Sequence, residues 1–269
     1  MNSDIAFFAL TDEGKRLGEY LSLKMNGTLF LPKKMEDKNR GDGFITYYRG
    51  SLSELIGRVF NTYRAMVFIM ALGIVNRVIA PYIESKYRDP AVVTIDESAR
   101  YVISTLSGHE GGANELTYSI SSITGADPVV TTATEANRIY TCGLGCRRGV
   151  ETKEIIHAIE SGCREISIEV NELRCISSAW LKKDEEGLIE ASRILGLHLR
   201  FIPEWMFKYA RHLCSNSAFV ESKIGVYGVS EPCALLSGRN TTLILRKKSF
   251  GPVTVAIAEE ELLDIKTQV

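Results

Sequence analysis

The sequence predicts an α/β protein: two closely apposed α/β domains, each a mostly parallel sheet flanked by helices. Three observations predict this. In the first half, short apolar runs of strand length alternate with stretches whose apolar residues recur at helical spacing. The second half repeats that alternation without repeating the residues. No proline-rich or low-complexity linker separates the halves, so the two domains are expected to lie against each other.

In chain order, residues 5–10 (IAFFAL) read as a strand and residues 13–24 have helical spacing. Residues 28–31 and 44–47 read as short strands around a polar, glycine-bearing loop at 33–43. Leu52, Leu55, Ile56, Val59 and Phe60 give an amphipathic helix over 52–63. A buried strand follows at 65–70 and a helix at 74–83. Residues 92–95 and 102–103 predict a tight strand pair through a turn at 96–100. A helix at 116–123 and a strand at 128–131 close the first domain. The boundary is placed at 136–138, giving domains 1–137 and 138–269. In the second domain, strands are expected at 139–143, 175–179, 243–245 and 253–258. Helices are expected at 152–159, 185–195 and 203–213.

The composition narrows the function classes. A formal net charge of −1 is not what a nucleic-acid-binding protein usually carries. The longest apolar run, residues 65–75, falls short of the roughly 20 residues a membrane span needs. The six cysteines show no disulfide framework and no zinc spacing, and no secretory signal opens the chain. Reduced thiols, a cytoplasmic location and no protein-bound metal are the expectation. No GxxxxGK[ST] loop and no GxSxG elbow occurs.

The richest stretch is LSGHEGGAN, residues 106–114, between an extended segment and a helix. Gly108, Gly111 and Gly112 free the backbone, and N–H groups there can converge on an anion at a helix start. His109 exchanges protons near neutral pH. Four segments are expected to follow strands and so to meet at the carboxyl ends of one sheet. They are this loop, MALGIVNR (70–77, with Gly73 and Arg77), Asp96-Glu97, and TTAT (131–134, with Thr131, Thr132 and Thr134). Plain structural readings stay open for the last three: a solvated arginine, a turn, and caps.

The second domain opens with CGLGCRRG, residues 142–149. Gly143, Gly145 and Gly149 are close to a dinucleotide fingerprint, at non-standard spacing. Arg147 and Arg148 beside Cys146 instead suggest a site for carboxylates or phosphates, because a guanidinium offers a fixed fork of donors.

Together, FIMALGIVNRVIAP, DPAVVTIDE, VISTLSGHEGGANELT and PVVTTATE, in this order, resemble the N-terminal part of the CbiG family of cobalamin biosynthesis. GLGCRRG, LKKDEEGL and GVYGVSEPCALL resemble its C-terminal domain. The family usually carries a middle region between these parts. Here TTATEANRIYTCGLGCRRG joins them almost directly, a compact form. The resemblance implies cobalt-precorrin-5A hydrolase activity in the anaerobic route to vitamin B12. That enzyme opens the ring A δ-lactone and releases acetaldehyde to give cobalt-precorrin-5B. The cobalt belongs to the corrinoid substrate, so no cofactor is expected, and other enzymes of the pathway are candidate partners.

For this chemistry, His109 is read as the general base and Asn114 as the residue that orients it or the lactone. N–H groups near Gly111, Gly112 and Ala113 would receive the oxyanion. Asp96 or Glu97 would act when the carbon–carbon bond breaks. Arg77, Arg147 and Arg148 would hold peripheral carboxylates. Gly73, Ser107, Gly108, Thr131, Thr132, Thr134, Gly143, Gly145 and Cys146 would line the substrate, in a cleft between the domains. The alternatives are a non-catalytic corrinoid-binding protein and a nucleotide-dependent oxidoreductase using residues 143–149.

Overall fold

The computed structural model describes residues 4–37, 43–215 and 225–262. Part of the polar loop expected at 33–43, residues 38–42, lies outside the described residues. The chain divides into two compact units between Thr132 and Ala133. Among the described residues, no helix is long and apolar enough to cross a membrane.

The first unit is built on seven strands: β1 (Ile5–Ala9), β2 (Thr28–Pro32), β3 (Ile45–Tyr48), β4 (Ala65–Ile69), β5 (Ala91–Ile95), β6 (Tyr101–Leu106) and β7 (Asp127–Val129), ordered β3-β2-β1-β4-β5-β6-β7. Successive residues of β1 and β4 point to opposite faces, and both faces are buried. Phe7 and Val67 belong to one core, Phe8 and Phe68 to the other. That double burial is why these strands are continuously apolar rather than alternating. On the second face Phe8 stacks between Phe30 and Phe68, with ring centroids 5.2 and 4.8 Å away.

The flanking helices are α1 (Asp12–Met25), α2 (Leu52–Val59), α3 (Leu72–Ile79) and α4 (Ala113–Thr124). Thr11 caps α1 by accepting from Gly14 N at 3.1 Å, and Ser51 with Glu54 forms a capping box on α2.

One pairing decides where the loops fall. β5 and β6 are antiparallel, as the tight strand pair implied, whereas β6 and β7 are parallel. The carboxyl ends of β6 and β7 therefore lie at the opposite end of the sheet from those of β1, β4 and β5. The expectation that four special segments meet at one end is thereby corrected. Residues 106–114 and 131–132 share one end, and residues 70–77 and 96–97 share the other.

The second unit holds β8 (Tyr140–Cys146), β9 (Leu173–Ala179), β10 (His198–Ile202), β11 (Thr241–Phe250) and β12 (Val253–Glu260), ordered β10-β9-β8-β12-β11. β8, β9 and β10 are parallel, and β12 and β11 add an antiparallel hairpin. Among the described residues, four α-helices accompany them: α5 (Ala133–Ala136), α6 (Thr152–Glu165), α7 (Glu186–Leu195) and α8 (Ser230–Leu236).

Several elements differ from expectation, and the helices α5 and α8 are among those not foreseen. β10 was not foreseen: its centre is Arg200, only 1% exposed, which donates to Leu236 O at 3.0 Å, and a buried arginine breaks the apolar strand signal. Residues 203–213 form two short 3₁₀ segments, Glu204–Tyr209 and Arg211–Leu213, closed by i→i+3 bonds such as Met206 N to Pro203 O, instead of an α-helix. β8 runs on to Cys146, so Gly143 and Gly145 are strand residues and not loop residues.

Candidate functional site

The SGHEGGAN loop is wound on its own carbonyls. Ser107 O accepts from Gly111 N at 3.1 Å and Ala113 N at 3.2 Å, and Gly108 O accepts from Asn114 N at 2.9 Å. Two of the three N–H groups read as an oxyanion site are thus spent inside the turn. Ser107 has φ +56° and Gly112 has φ +87°. A serine in the left-handed region is strained. Its hydroxyl is also buried and has no hydrogen-bond partner. Strain and an unsatisfied group at one residue are features that cluster at functional sites. A Cβ on Gly111 would collide with Ser107 Cβ, so only glycine closes this turn.

Asn114 is the pin of the loop. It is 1% exposed; its Oδ1 accepts from Ser104 Oγ at 2.7 Å and its Nδ2 donates to Thr132 Oγ1 at 3.3 Å. A Cβ on Gly108 would fall 2.8 Å from Asn114 Oδ1 and 3.1 Å from Thr132 Cγ2. Asn114, Gly108 and Thr132 therefore form one packed unit that ties TTAT to the loop. Asn114 works through this scaffold, not through contact with His109.

His109 is exposed at the tip of the loop. Beside it, Glu110 pairs with Lys86 at 2.5 Å, and the Lys86 ammonium, with a smaller effect from His109, holds the Glu110 carboxyl below its ordinary range. The loop thus presents an imidazole to solvent on a rigid base, next to an ion pair.

At the opposite end of the same sheet, Asp96 closes the β5–β6 turn. Its carboxylate accepts from Arg100 N and Tyr101 N, both at 2.8 Å, and from Arg100 Nε at 2.9 Å. Partial burial alone would raise this carboxyl, but the N–H groups of Tyr101 and Arg100 and the Arg100 guanidinium bring it below its ordinary value. The turn, not proton transfer, accounts for every contact of Asp96. Glu97 accepts from Thr11 Oγ1 at 2.6 Å.

Strands β1 and β4 are neighbours at which the strand order reverses, and that is where open α/β sheets admit ligands. Thr11, after β1, and Gly73, after β4, flank this point. Thr11 was missed by sequence reasoning, because only the strand order makes β1 and β4 adjacent. Arg77 is exposed in the last turn of α3.

In the second unit, two sequence motifs converge at the carboxyl ends of β8 and β9. Arg148 donates to Leu181 O at 3.0 Å and pairs with Asp184 at 3.3 Å. Gly149 N donates to Glu185 Oε1 at 2.7 Å, and Lys182 holds Glu185 Oε2 at 2.8 Å. CRRG is thereby buttressed by KKDEEG, a connection the sequence reading did not draw. Both arginines are exposed; Arg148 is engaged, and Arg147 makes no ion pair among the described residues. Burial pushes the Cys146 thiol up, against the pull of Lys182, so it is held as a neutral thiol.

An open groove of about 780 Å³ is lined in part by Arg148 and Arg193 and by Glu151, Asp184, Glu185, Glu186 and Glu190. Four of these acids are paired with cations: Glu151 with Lys153, Asp184 with Arg148, Glu185 with Lys182 and Glu190 with Arg193. Gly143 and Gly145 have packing roles. A Cβ on Gly143 would collide with the backbone of α8 at Ser230 and Ala234, and one on Gly145 would meet Thr254 Oγ1 at 2.6 Å. Their spacing records close approach to α8 and β12, not a loop around a pyrophosphate.

Thr134 is exposed in α5, next to Glu135, which is 2% exposed and paired with Arg138 at 3.2 Å. Among the described residues, no group of three or more His, Cys, Asp or Glu side chains is placed to hold a metal ion.

Burial would raise the Glu185 carboxyl, but Lys182 and the Gly149 N–H outweigh it and bring it below its ordinary value of 4.5. Its stabilising contribution is therefore complete above pH 4.5 and is lost as pH falls through the lowered folded value. Denaturant unfolding of wild type and Glu185→Gln should show a stability gap that is constant near neutral pH and shrinks below pH 4.5. A gap independent of pH would mean that the carboxylate charge contributes nothing.

Residues 54–135 match the family described as Cobalamin synthesis G N-terminal, and residues 140–258 match Cobalamin synthesis G C-terminus. A cobalt-precorrin-5A hydrolase of Priestia megaterium is 26% identical over 361 aligned positions, covering 95% of this chain and 94% of the relative. A cobalt-precorrin-5A hydrolase of Salmonella typhimurium is 45% identical over 135 residues, covering 50% of this chain and 37% of the relative. The crystal structure of a cobalamin biosynthesis protein G homologue from Sulfolobus solfataricus is 21% identical with a TM-score of 0.38, covering 96% of this chain and 97% of that one. The N-terminal and C-terminal segments follow one another in the family's order, one on each side of residues 136–139, and the chain belongs to the cobalamin synthesis G family.

Proposed function

We propose that this protein is a cobalt-precorrin-5A hydrolase of anaerobic cobalamin biosynthesis, working in the cytoplasm. The observation that carries this reading is the presence of both family segments in one chain, together with full-length similarity to a relative of that name. The cobalt is carried by the corrinoid substrate, and no separate cofactor is invoked.

In the first step His109 takes a proton from water, and the water oxygen bonds to the lactone carbonyl carbon. The ring carbon–oxygen bond then breaks, and the leaving oxygen takes the proton back from the imidazolium. In the second step the freed hydroxyl gives its proton to His109, neutral again after the first step, and becomes a carbonyl. The adjacent carbon–carbon bond breaks, its electron pair passes to the macrocycle, and acetaldehyde leaves. The support for His109 is its exposed imidazole on a loop whose backbone is fixed by Ser107, Gly108 and Asn114. Arg147, exposed and without an ion pair among the described residues, is offered as a partner for a substrate carboxylate. Other enzymes of the pathway are candidate partners for passing on so reactive an intermediate.

Anaerobic incubation of the purified protein with cobalt-precorrin-5A tests the reading. Acetaldehyde and a matching loss of macrocycle mass are expected. A bound but unchanged macrocycle would instead make this chain a corrinoid carrier.

A further inference from the structure

Ser107, the first residue after β6, carries a hydroxyl for which the fold has no use. Its φ of +56° lies in the left-handed region that glycine enters freely and other residues do not. This conformation lets the Ser107 carbonyl accept from both Gly111 N and Ala113 N, the latter the first residue of α4. A glycine would present the same carbonyl without the steric cost. What serine adds is its hydroxyl, and that hydroxyl is buried and has no hydrogen-bond partner in a residue only 6% exposed. Both features work against folding, which directs attention to a ligand that would complete the hydroxyl.

The surroundings suit a developing negative charge. The turn leads into the N-terminus of α4, a helix of 12 residues with no side-chain cap, so the positive end of its dipole faces this turn. The Ser107 oxygen lies inside the turn, 3.4 Å from where a Cβ on Gly111 would stand. With Gly111 N and Ala113 N spent on the Ser107 carbonyl, Gly112 N lies between them and makes no hydrogen bond among the described residues. Gly112 also borders open space, because a Cβ built on it meets no atom within 4 Å. Glu110, the acid within the turn, is taken up by Lys86.

We propose that Ser107 is a further catalytic residue, whose hydroxyl, together with the Gly112 N–H, donates to the lactone carbonyl oxygen as water adds to the carbonyl carbon. The inference rests on the hydrolase reading and supplies the oxyanion donors which that reading lacks once two backbone N–H groups are spent. When the water oxygen bonds to carbon, the π pair of the carbonyl passes to its oxygen. The two donors hold that charge and keep their protons, and the pair returns when the ring carbon–oxygen bond breaks. Access takes one motion, a rotation about the Ser107 Cα–Cβ bond from the interior of the turn toward the open side at Gly112. A donor that is already dry gives up no water hydrogen bond when the oxyanion forms.

The test is a single-turnover assay of the full-length protein with cobalt-precorrin-5A, following lactone opening and acetaldehyde, with a thermal melt on the same sample. Ser107→Ala should slow lactone opening by about 100- to 1,000-fold, the range for loss of one oxyanion donor. The half-saturating substrate concentration should not change, because the charge exists only in the transition state. Ser107→Gly, which suits the left-handed backbone, should be equally slow. Neither variant should melt below wild type, since each removes a buried hydroxyl without a partner. A wild-type rate in either variant would overturn the proposal and leave the hydrolase reading standing. So would a weaker half-saturation at an unchanged maximal rate, which makes Ser107 a ground-state contact. Slow variants that also melt below wild type would assign the loss to the shape of the turn and overturn the proposal as well. Wild-type protein that leaves the lactone closed and releases no acetaldehyde would overturn the hydrolase reading, and the oxyanion role with it.

Discussion

Replacing His109 with alanine is expected to cut acetaldehyde release from cobalt-precorrin-5A by about 100- to 10,000-fold, the range for loss of a positioned general base. The fold should not respond. His109 is exposed, and the loop beneath it is held by other atoms: the Ser107 and Gly108 carbonyls and the Asn114 side chain. Substitutions at such positions change stability by no more than about 0.5 kcal/mol. The measurement is a single-turnover assay for acetaldehyde with a thermal melt on the same sample. Turnover at the wild-type rate would remove His109 from the mechanism. The companion change Asn114→Ala should behave differently. It strands the hydroxyls of Ser104 and Thr132, which costs about 1–3 kcal/mol, and it lowers turnover only through the shape of the loop.

The largest effect on stability is expected at Gly143. An alanine there places its methyl against Ser230 O and Ala234 N, which are backbone atoms of a buried helix and cannot turn aside. Either β8 or α8 must shift. β8 is the central strand of its sheet, and Thr141 on the same strand donates to Ala234 O at 2.8 Å. Overpacking of this kind costs about 1–3 kcal/mol and occasionally more, and a backbone collision belongs at the upper end. Gly143→Ala should therefore lower the denaturant midpoint strongly or leave the chain insoluble. A variant with wild-type stability would show that α8 is free to move away from β8.

The sequence was most legible where one physical signal acted alone. Doubly buried strands such as β1 and β4 had to be continuously apolar, and they were found at their expected places. The β5–β6 turn was legible from its length. Its consequence was not, because the direction of β6 relative to β4 is a property of the whole sheet and not of any window. That is why one apparent site resolved into two sheet ends, with His109 at one and Glu97 at the other. The second unit was harder to read. Arg200 hid β10, and the glycines of CGLGC, forced by the approach of α8 and β12, imitated a phosphate loop. Residues 203–213 gave a helix signal, with Trp205 and Tyr209 four residues apart, and folded as two 3₁₀ segments instead.

Both tryptophans of this chain, Trp180 and Trp205, lie in the second unit, on the edge beyond β9 and β10. The first unit is rich in tyrosine and phenylalanine but has no tryptophan. Emission excited at the red edge of the indole band therefore comes from one half of the molecule alone. The far-ultraviolet dichroism of the seven-stranded sheet and its helices contributes to a signal from both. Recording the two together during unfolding converts an accident of residue placement into a direct report on whether the two units melt as one cooperative body or in succession.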